Sequence, residues 1–123
     1  MNKLAHYTVG IGLILCHVYA GAQQPSLVVD GNVWMSASTE ERKAFLAGAN
    51  SMIALEMAYA KKKGTTPSVA ATTFYNATGK VTLDEMSGRI TSWYENNPNR
   101  RDLPVLGAAW IDMVSPSTGK PAQ

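Results

Sequence analysis

Few side chains in this sequence are equipped for chemistry. In the stretch YENNPNRRDLPV, from Tyr94 to Val105, Arg100 stands beside Arg101 among three asparagines and two prolines. Guanidiniums are planar, permanently charged forks that match carboxylates and phosphates. Asn99, Arg100 and Arg101 are therefore candidate partner-binding residues. The other candidate is Glu56, which helical spacing sets among Met52, Ile53 and Ala60 in an apolar stripe. A carboxylate buried there needs a partner or takes up a proton, and Arg89, Arg100 or Arg101 could supply the partner. Glu56 is thus a candidate buried carboxylate, read either as a recognition group or as one half of a structural ion pair, or as a residue that reaches water at the edge of a small core.

His6, Cys16 and His17 all fall within the first 22 residues, and nothing after them is a histidine or cysteine. The remainder has no sulfur or imidazole for a disulfide, a Cys or His nucleophile, or the usual zinc site. The chemistry most compatible with what is left is glycoside hydrolysis by two carboxylates, with Glu56 paired to Asp84 or Glu85. Helix capping already explains Asp84 and Glu85, so no catalytic residue is assigned, no enzyme is expected, and neither metal nor cofactor is implied. Trp34, Trp93 and Trp110 would pave a groove or fill a core, and aromatic residues at helical spacing point to the core. Lys61, Lys62 and Lys63 read as an anion site or, more simply, as a solvated helix end.

The elements that must position these residues are helical. SASTEERKAFLAGANSMIALEMAYAKKKG carries a capping box in Ser38 and Glu41, three lysines at its far end and Gly64 for a left-handed cap. Its stripe of Phe45, Ala49, Met52, Ile53 and Ala60, flanked by Leu46 and Tyr59, is expected to face the core. Ala44, Gly48 and Ser51 form a narrow face for close internal helix packing. Residues 65–81 give conflicting signals: Pro67 suits the start of a short helix carrying Val69 and Phe74, whereas Thr72, Thr73 and Asn76 favour loop. Thr82 and Glu85 open another helix with Leu83, Met86, Ile90, Trp93, Tyr94 and Asn97 on one side, which Pro98 helps to end. Asp102 is the expected cap of a last helix, with Leu103, Leu106, Trp110, Met113 and Val114 on one side. Together these predict an all-α bundle: a long first helix and a C-terminal antiparallel helical hairpin. Val28, Val29 and Val33 around Asp30-Gly31 suggest a short N-terminal β-hairpin or an extended arm.

Lys3, the apolar run from Val9 to Val18 and the exit Ala20-Gly21-Ala22 have the pattern of a secretory signal over residues 1–22, cleaved before Gln23. The run is short of the roughly 20 residues a membrane span requires, so no stable anchor is expected after cleavage. A single domain over 23–114 follows, and 115–123 reads as a loose tail. Loss of Lys3 leaves ten Lys/Arg against nine Asp/Glu, a net charge of +1, too small a field for nucleic acid.

The segments AFLAGANSMI and VTLDEMSGRITSWYENNPNRRDLPVLGAAWIDMV resemble the Rap1a/Tai family of periplasmic immunity proteins, in a divergent form without the family's cysteines. That family pairs a small-residue helix containing glycine with a "VTL" helix start, an "NP" turn and an alanine-rich final helix. The resemblance covers Phe45 to Val114 and implies a periplasmic helical domain that binds another protein, a secreted toxin or effector, and blocks it. It carries over no contact residues. The competing expectation is an envelope-stress or chaperone-like helical protein working through exposed apolar surface. Oligomeric state is left open.

Overall fold

The computed structural model describes residues 28–119. The proposed signal, residues 1–22, lies outside them, as do residues 120–123 at the end of the tail.

Asp30 opens the first element, α1 (Gly31–Ser36), by accepting the N–H groups of Asn32 and Val33 at 3.0 Å each. This corrects the expected hairpin. An aspartate before glycine serves an N-cap as readily as a turn, and no strand occurs among the described residues, only an isolated bridge between Asp30 and Pro104. Gly31 is there for space. A Cβ on it would stand 2.6 Å from Cδ1 and 2.9 Å from Cζ of Tyr94, so α1 can lie on that ring only where it has no side chain.

The long helix α2 (Thr39–Lys63) has both ends closed as its sequence foretells. Glu41 Oε2 accepts the Ser38 N–H at 2.7 Å while Ser38 Oγ accepts the Glu41 N–H at 3.3 Å. At the other end Gly64 adopts φ +67°, which a side chain would disfavour, and lets the Thr65 N–H reach the Ala60 carbonyl at 2.9 Å. The buried face is rotated from the expected one. Leu46 and Ala60 are buried and Phe45 and Ile53 only partly, whereas Met52 and Tyr59 are 66% and 60% exposed. Apolar residues occupy both sides of α2, so periodicity alone could not select the one that packs. Ala44, Gly48 and Ser51 do not pack internally either: all three are exposed, and a Cβ on Gly48 would meet nothing within 4 Å.

Residues 65–81 hold a helix, α3 (Val69–Thr78). Its cap is Ser68, whose Oγ accepts the Ala71 N–H at 3.1 Å, so Pro67 precedes the helix instead of starting it. Phe74 is buried, and Val69 is 83% exposed. Helix α4 (Leu83–Asn96) follows the reading closely: Met86, Ile90, Trp93 and Tyr94 are all in the core, and Thr82 Oγ1 accepts the Glu85 N–H. A 3₁₀ turn (Pro98–Arg100) then leads to α5 (Val105–Ala109), a π-helical turn (Trp110–Val114) and α6 (Ser115–Ser117).

The expected cap at Asp102 and the stripe of the last helix both shift. The helix starts at Val105 after Pro104, and Val105, Ala108, Ala109, Met113 and Val114 are buried while Leu106 is exposed. In a plain α-helix the face of Val105, Ala108 and Ala109 would continue through Asp112 at 100° per residue. The π turn inserts one residue into that phase. Met113 and Val114 thereby reach the core, and Asp112 moves to its edge. The helix also runs past Val114 through residues assigned to the tail, burying Ser115.

Trp34 ties the layers together. Its indole Nε1–H donates to Thr91 Oγ1 at 3.0 Å, and Arg42 lies over its ring at 5.6 Å. The same guanidinium donates from Nε to the Trp34 carbonyl at 2.8 Å, from Nη2 to the Met35 carbonyl and from Nη1 to Thr91 Oγ1. The carbonyls that end α1 are thus satisfied by a side chain of α2, on a hydroxyl supplied by α4. Among the described residues no helix is long and apolar enough to cross a membrane.

Candidate functional site

The two candidate regions prove to be separate. Glu56 is exposed, and its carboxylate caps a loop: Oε1 accepts the Ser68 N–H at 2.8 Å, just before α3 begins. This bond, reinforced by the Ser68 side chain, holds its pKa below the ordinary carboxylate value. Glu56 is therefore neither buried nor paired with arginine. Arg89 is bound to Asp112, and neither Arg100 nor Arg101 makes an ion pair among the described residues. Glu56 is also remote from the carboxylates once considered as its partners. Asp84 sits 3.4 Å from Lys43 Nζ, and Glu56 follows Lys43 by thirteen residues, ~20 Å of helix at 1.5 Å per residue. Two cooperating glycosidase carboxylates stand about 5–9.5 Å apart.

The NNPNRRD turn is built firmly. Asn97 Nδ2 caps the end of α4 by donating to the Trp93 carbonyl at 2.7 Å, and the Arg100 N–H returns to the Asn97 carbonyl at 3.0 Å. Asn32 donates both its backbone N–H and its Nδ2 to the Arg101 carbonyl, at 3.2 and 3.3 Å. Tyr94 closes the far side: its hydroxyl donates to the Leu103 carbonyl at 2.7 Å. Burial, with a smaller contribution from the Asp30 charge, pushes that hydroxyl up to about 12.

On this frame the adjacent arginines part company. Arg100 is exposed, with its guanidinium 5.4 Å above the Trp93 ring, a geometry that holds the cation over the negative face of an aromatic. Arg101 is half-buried, and its Nε is enclosed without a hydrogen-bond partner among the described residues. Asn99 is exposed beside them at the apex of the turn.

Trp93 also contributes to a shallow hollow of about 430 Å³ between α4 and the π turn, lined by Glu85, Gly88, Arg89, Trp93, Asn96 and Asp112 among others. Its most ordered feature is a bidentate contact. Arg89 Nε donates to Asp112 Oδ2 at 2.8 Å, and Nη2 donates to the Asp112 backbone carbonyl at 2.9 Å. The helical donor to that carbonyl would be residue 116, a proline with no N–H, and Arg89 takes the acceptor left free. At this exposure the ion pair is worth about 0–1 kcal/mol, so its main effect is to fix two charged groups at the rim. Reading the sequence does not reveal this pair, because 23 positions separate its members. Nor does periodicity mark it: at 100° per residue Asp112 lies opposite the expected stripe of Leu103, Leu106, Trp110, Met113 and Val114, where a carboxylate is unremarkable.

Ser92 also lines the hollow with Glu85 and Asp112, but among the described residues its hydroxyl makes no hydrogen bond to either carboxylate. What the turn and the hollow offer is a rigid, partly aromatic surface with a cation over indole, amides at the rim and one oriented ion pair. The chain matches no protein-family model, no curated protein and no solved structure.

Proposed function

We propose that this protein is exported to the periplasm and acts by binding another protein, with neutralisation of a secreted toxin as the specific form of that activity. The reading rests chiefly on Arg100: an exposed guanidinium stacked on Trp93, beside a hollow floored by the same indole and carried on a turn fastened to α1 by Asn32. Arginine and tryptophan dominate the energetics of protein interfaces. Their anchoring here means that little side-chain entropy is lost on docking. Export is supported by the signal-like pattern of residues 1–22, and toxin neutralisation by the resemblance of residues 45–114 to periplasmic immunity proteins.

Affinity capture from periplasm and culture fluid tests the proposal. One stoichiometric partner is expected. Its capture should be lost in Arg100→Ala and weakened in Asn99→Ala, with melting temperatures close to that of the parent, since an exposed cation–π contact contributes only about 0.5–1 kcal/mol. Capture that survives Arg100→Ala removes the turn from the interface. The chaperone-like alternative draws on a different observation, the exposed Met52, Leu55, Tyr59 and Val69. It requires that the protein suppress acid-induced aggregation of several unrelated clients.

A further inference from the structure

The outer side of α2 is apolar and stands exposed among the described residues. Leu46 and Ala60 mark its buried side. At 100° per residue Ala44, Gly48, Ser51, Met52, Leu55 and Tyr59 cluster on the opposite side, with Met52, Leu55 and Tyr59 each 60% exposed or more. From Gly48 through Met52, Leu55 and Tyr59 to Lys62 the spacing alternates four and three. That is the 3.5-residue repeat along which two helices can stay in contact. Small residues occupy the first half of the seam and large ones the second.

We infer that this face is an isologous interface with a second copy of the same chain, its α2 helix antiparallel to the first and centred between Ser51 and Met52. Reversing the helix about that point sets Gly48 against Leu55 and Ala44 against Tyr59, so each large side chain meets a small one, in both directions, as a twofold axis demands. Gly48 is open to receive Leu55, because nothing lies within 4 Å of where its side chain would be. The charges complement one another under the same operation. Glu40 and Glu41 at one end come alongside Lys62 and Lys63 at the other, and each positive helix N-terminus lies by a negative C-terminus. A parallel pairing would oppose lysine to lysine and leave a gap at Gly48 opposite Gly48. The hollow beside Arg100 includes no residue of α2, so a dimer leaves it accessible.

With one helix face from each chain a small interface is expected, and with it a dissociation constant on the order of micromolar. The test uses cysteine crosslinking in a Cys16→Ser chain, where introduced cysteines are the only thiols. Mixing Gly48→Cys with Leu55→Cys chains should give a disulfide-linked heterodimer, while Gly48→Cys alone should not crosslink to itself. Sedimentation of the parent should show a concentration-dependent dimer that Leu55→Lys abolishes without lowering the melting temperature, since Leu55 is exposed. The double variant Gly48→Leu/Leu55→Gly, which exchanges the two sides of the contact, should recover more dimer than Gly48→Leu. Self-crosslinking of Gly48→Cys in place of the mixed product would overturn the antiparallel register. A monomer at all concentrations would overturn the dimer, whether or not the Leu55→Lys change then abolished binding of a denatured client.

Discussion

Replacing Gly31 by alanine should be among the most damaging small changes available to this chain. The new Cβ would stand 2.6 Å from Cδ1 and 2.9 Å from Cζ of Tyr94, roughly 1 Å inside carbon–carbon contact at ~3.5–4.0 Å. The ring has nowhere to retreat. Tyr94 is completely buried, and its hydroxyl is held at 2.7 Å by the Leu103 carbonyl, so a 1 Å shift would break that bond. Overpacking of this kind costs about 1–3 kcal/mol, and loss of the hydrogen bond adds about 1 kcal/mol. The sum, ~2–4 kcal/mol, is a large share of a small domain's stability. At about 4–8 °C per kcal/mol for a domain of this size, the midpoint of thermal unfolding followed by circular dichroism should fall by ~8–32 °C. Gly88→Ala is the matched control. It adds the same methyl group inside α4, where nothing lies within 4 Å, and relief from a helical glycine should raise stability by about 0.8–1.0 kcal/mol. If Gly31→Ala melted within ~2 °C of the parent, the packing of α1 on Tyr94 would be refuted. The position would then be a tolerant turn after all.

Three further outcomes are expected. Thr91→Val should lower stability by about 1–3 kcal/mol in urea titration, because the Trp34 indole N–H and Arg42 Nη1 both donate to the lost hydroxyl and the buried donor is left unpaired; an unchanged midpoint would show that water replaces the hydroxyl freely. At high pH, the Tyr94 hydroxyl keeps its proton to about 12 in the fold against 10.0 when unperturbed, so the unfolded state releases a proton that the native state retains and stability falls as pH rises between these values. Comparison with Tyr94→Phe isolates this component, and parallel pH profiles of the two proteins would contradict it. At low pH the signs reverse for Glu41, held below 4.5 by the Ser38 hydroxyl and N–H, and for Glu56, held below 4.5 by Ser68. Stability from both is present above pH 4.5 and is lost as pH falls through their lowered values, so the double variant Glu41→Gln/Glu56→Gln should show a flatter acid limb in melting experiments.

What the sequence determined by itself was local: the capping box of Ser38 and Glu41, the left-handed cap at Gly64, the single-sided α4 and its end before Pro98 all follow from hydrogen bonding and sterics within a few residues. Each was legible because the atoms that satisfy it are near neighbours in the chain. Decisions between equivalent local choices belonged to the tertiary structure. Asp30-Gly31 suits a hairpin turn or a helix start, and only the arrival of the Tyr94 ring over Gly31 and of Pro104 beside Asp30 selects the helix. Helix α2 is apolar on two sides, so which one faces inward depends on where α3 and α4 pack. Glu56 sits among apolar neighbours by helical spacing, yet once that side faces outward it has water around it and the Ser68 N–H to bind. Asp112 reaches Arg89 through a π turn that no propensity announces. Arg100 and Arg101 are the clearest instance: identical neighbours in sequence, they are separated by the turn's path, which sets one on the surface of Trp93 and half-buries the other. Backbone direction changes by a large angle from one residue to the next in a tight turn, and only the packed fold fixes where each side chain ends.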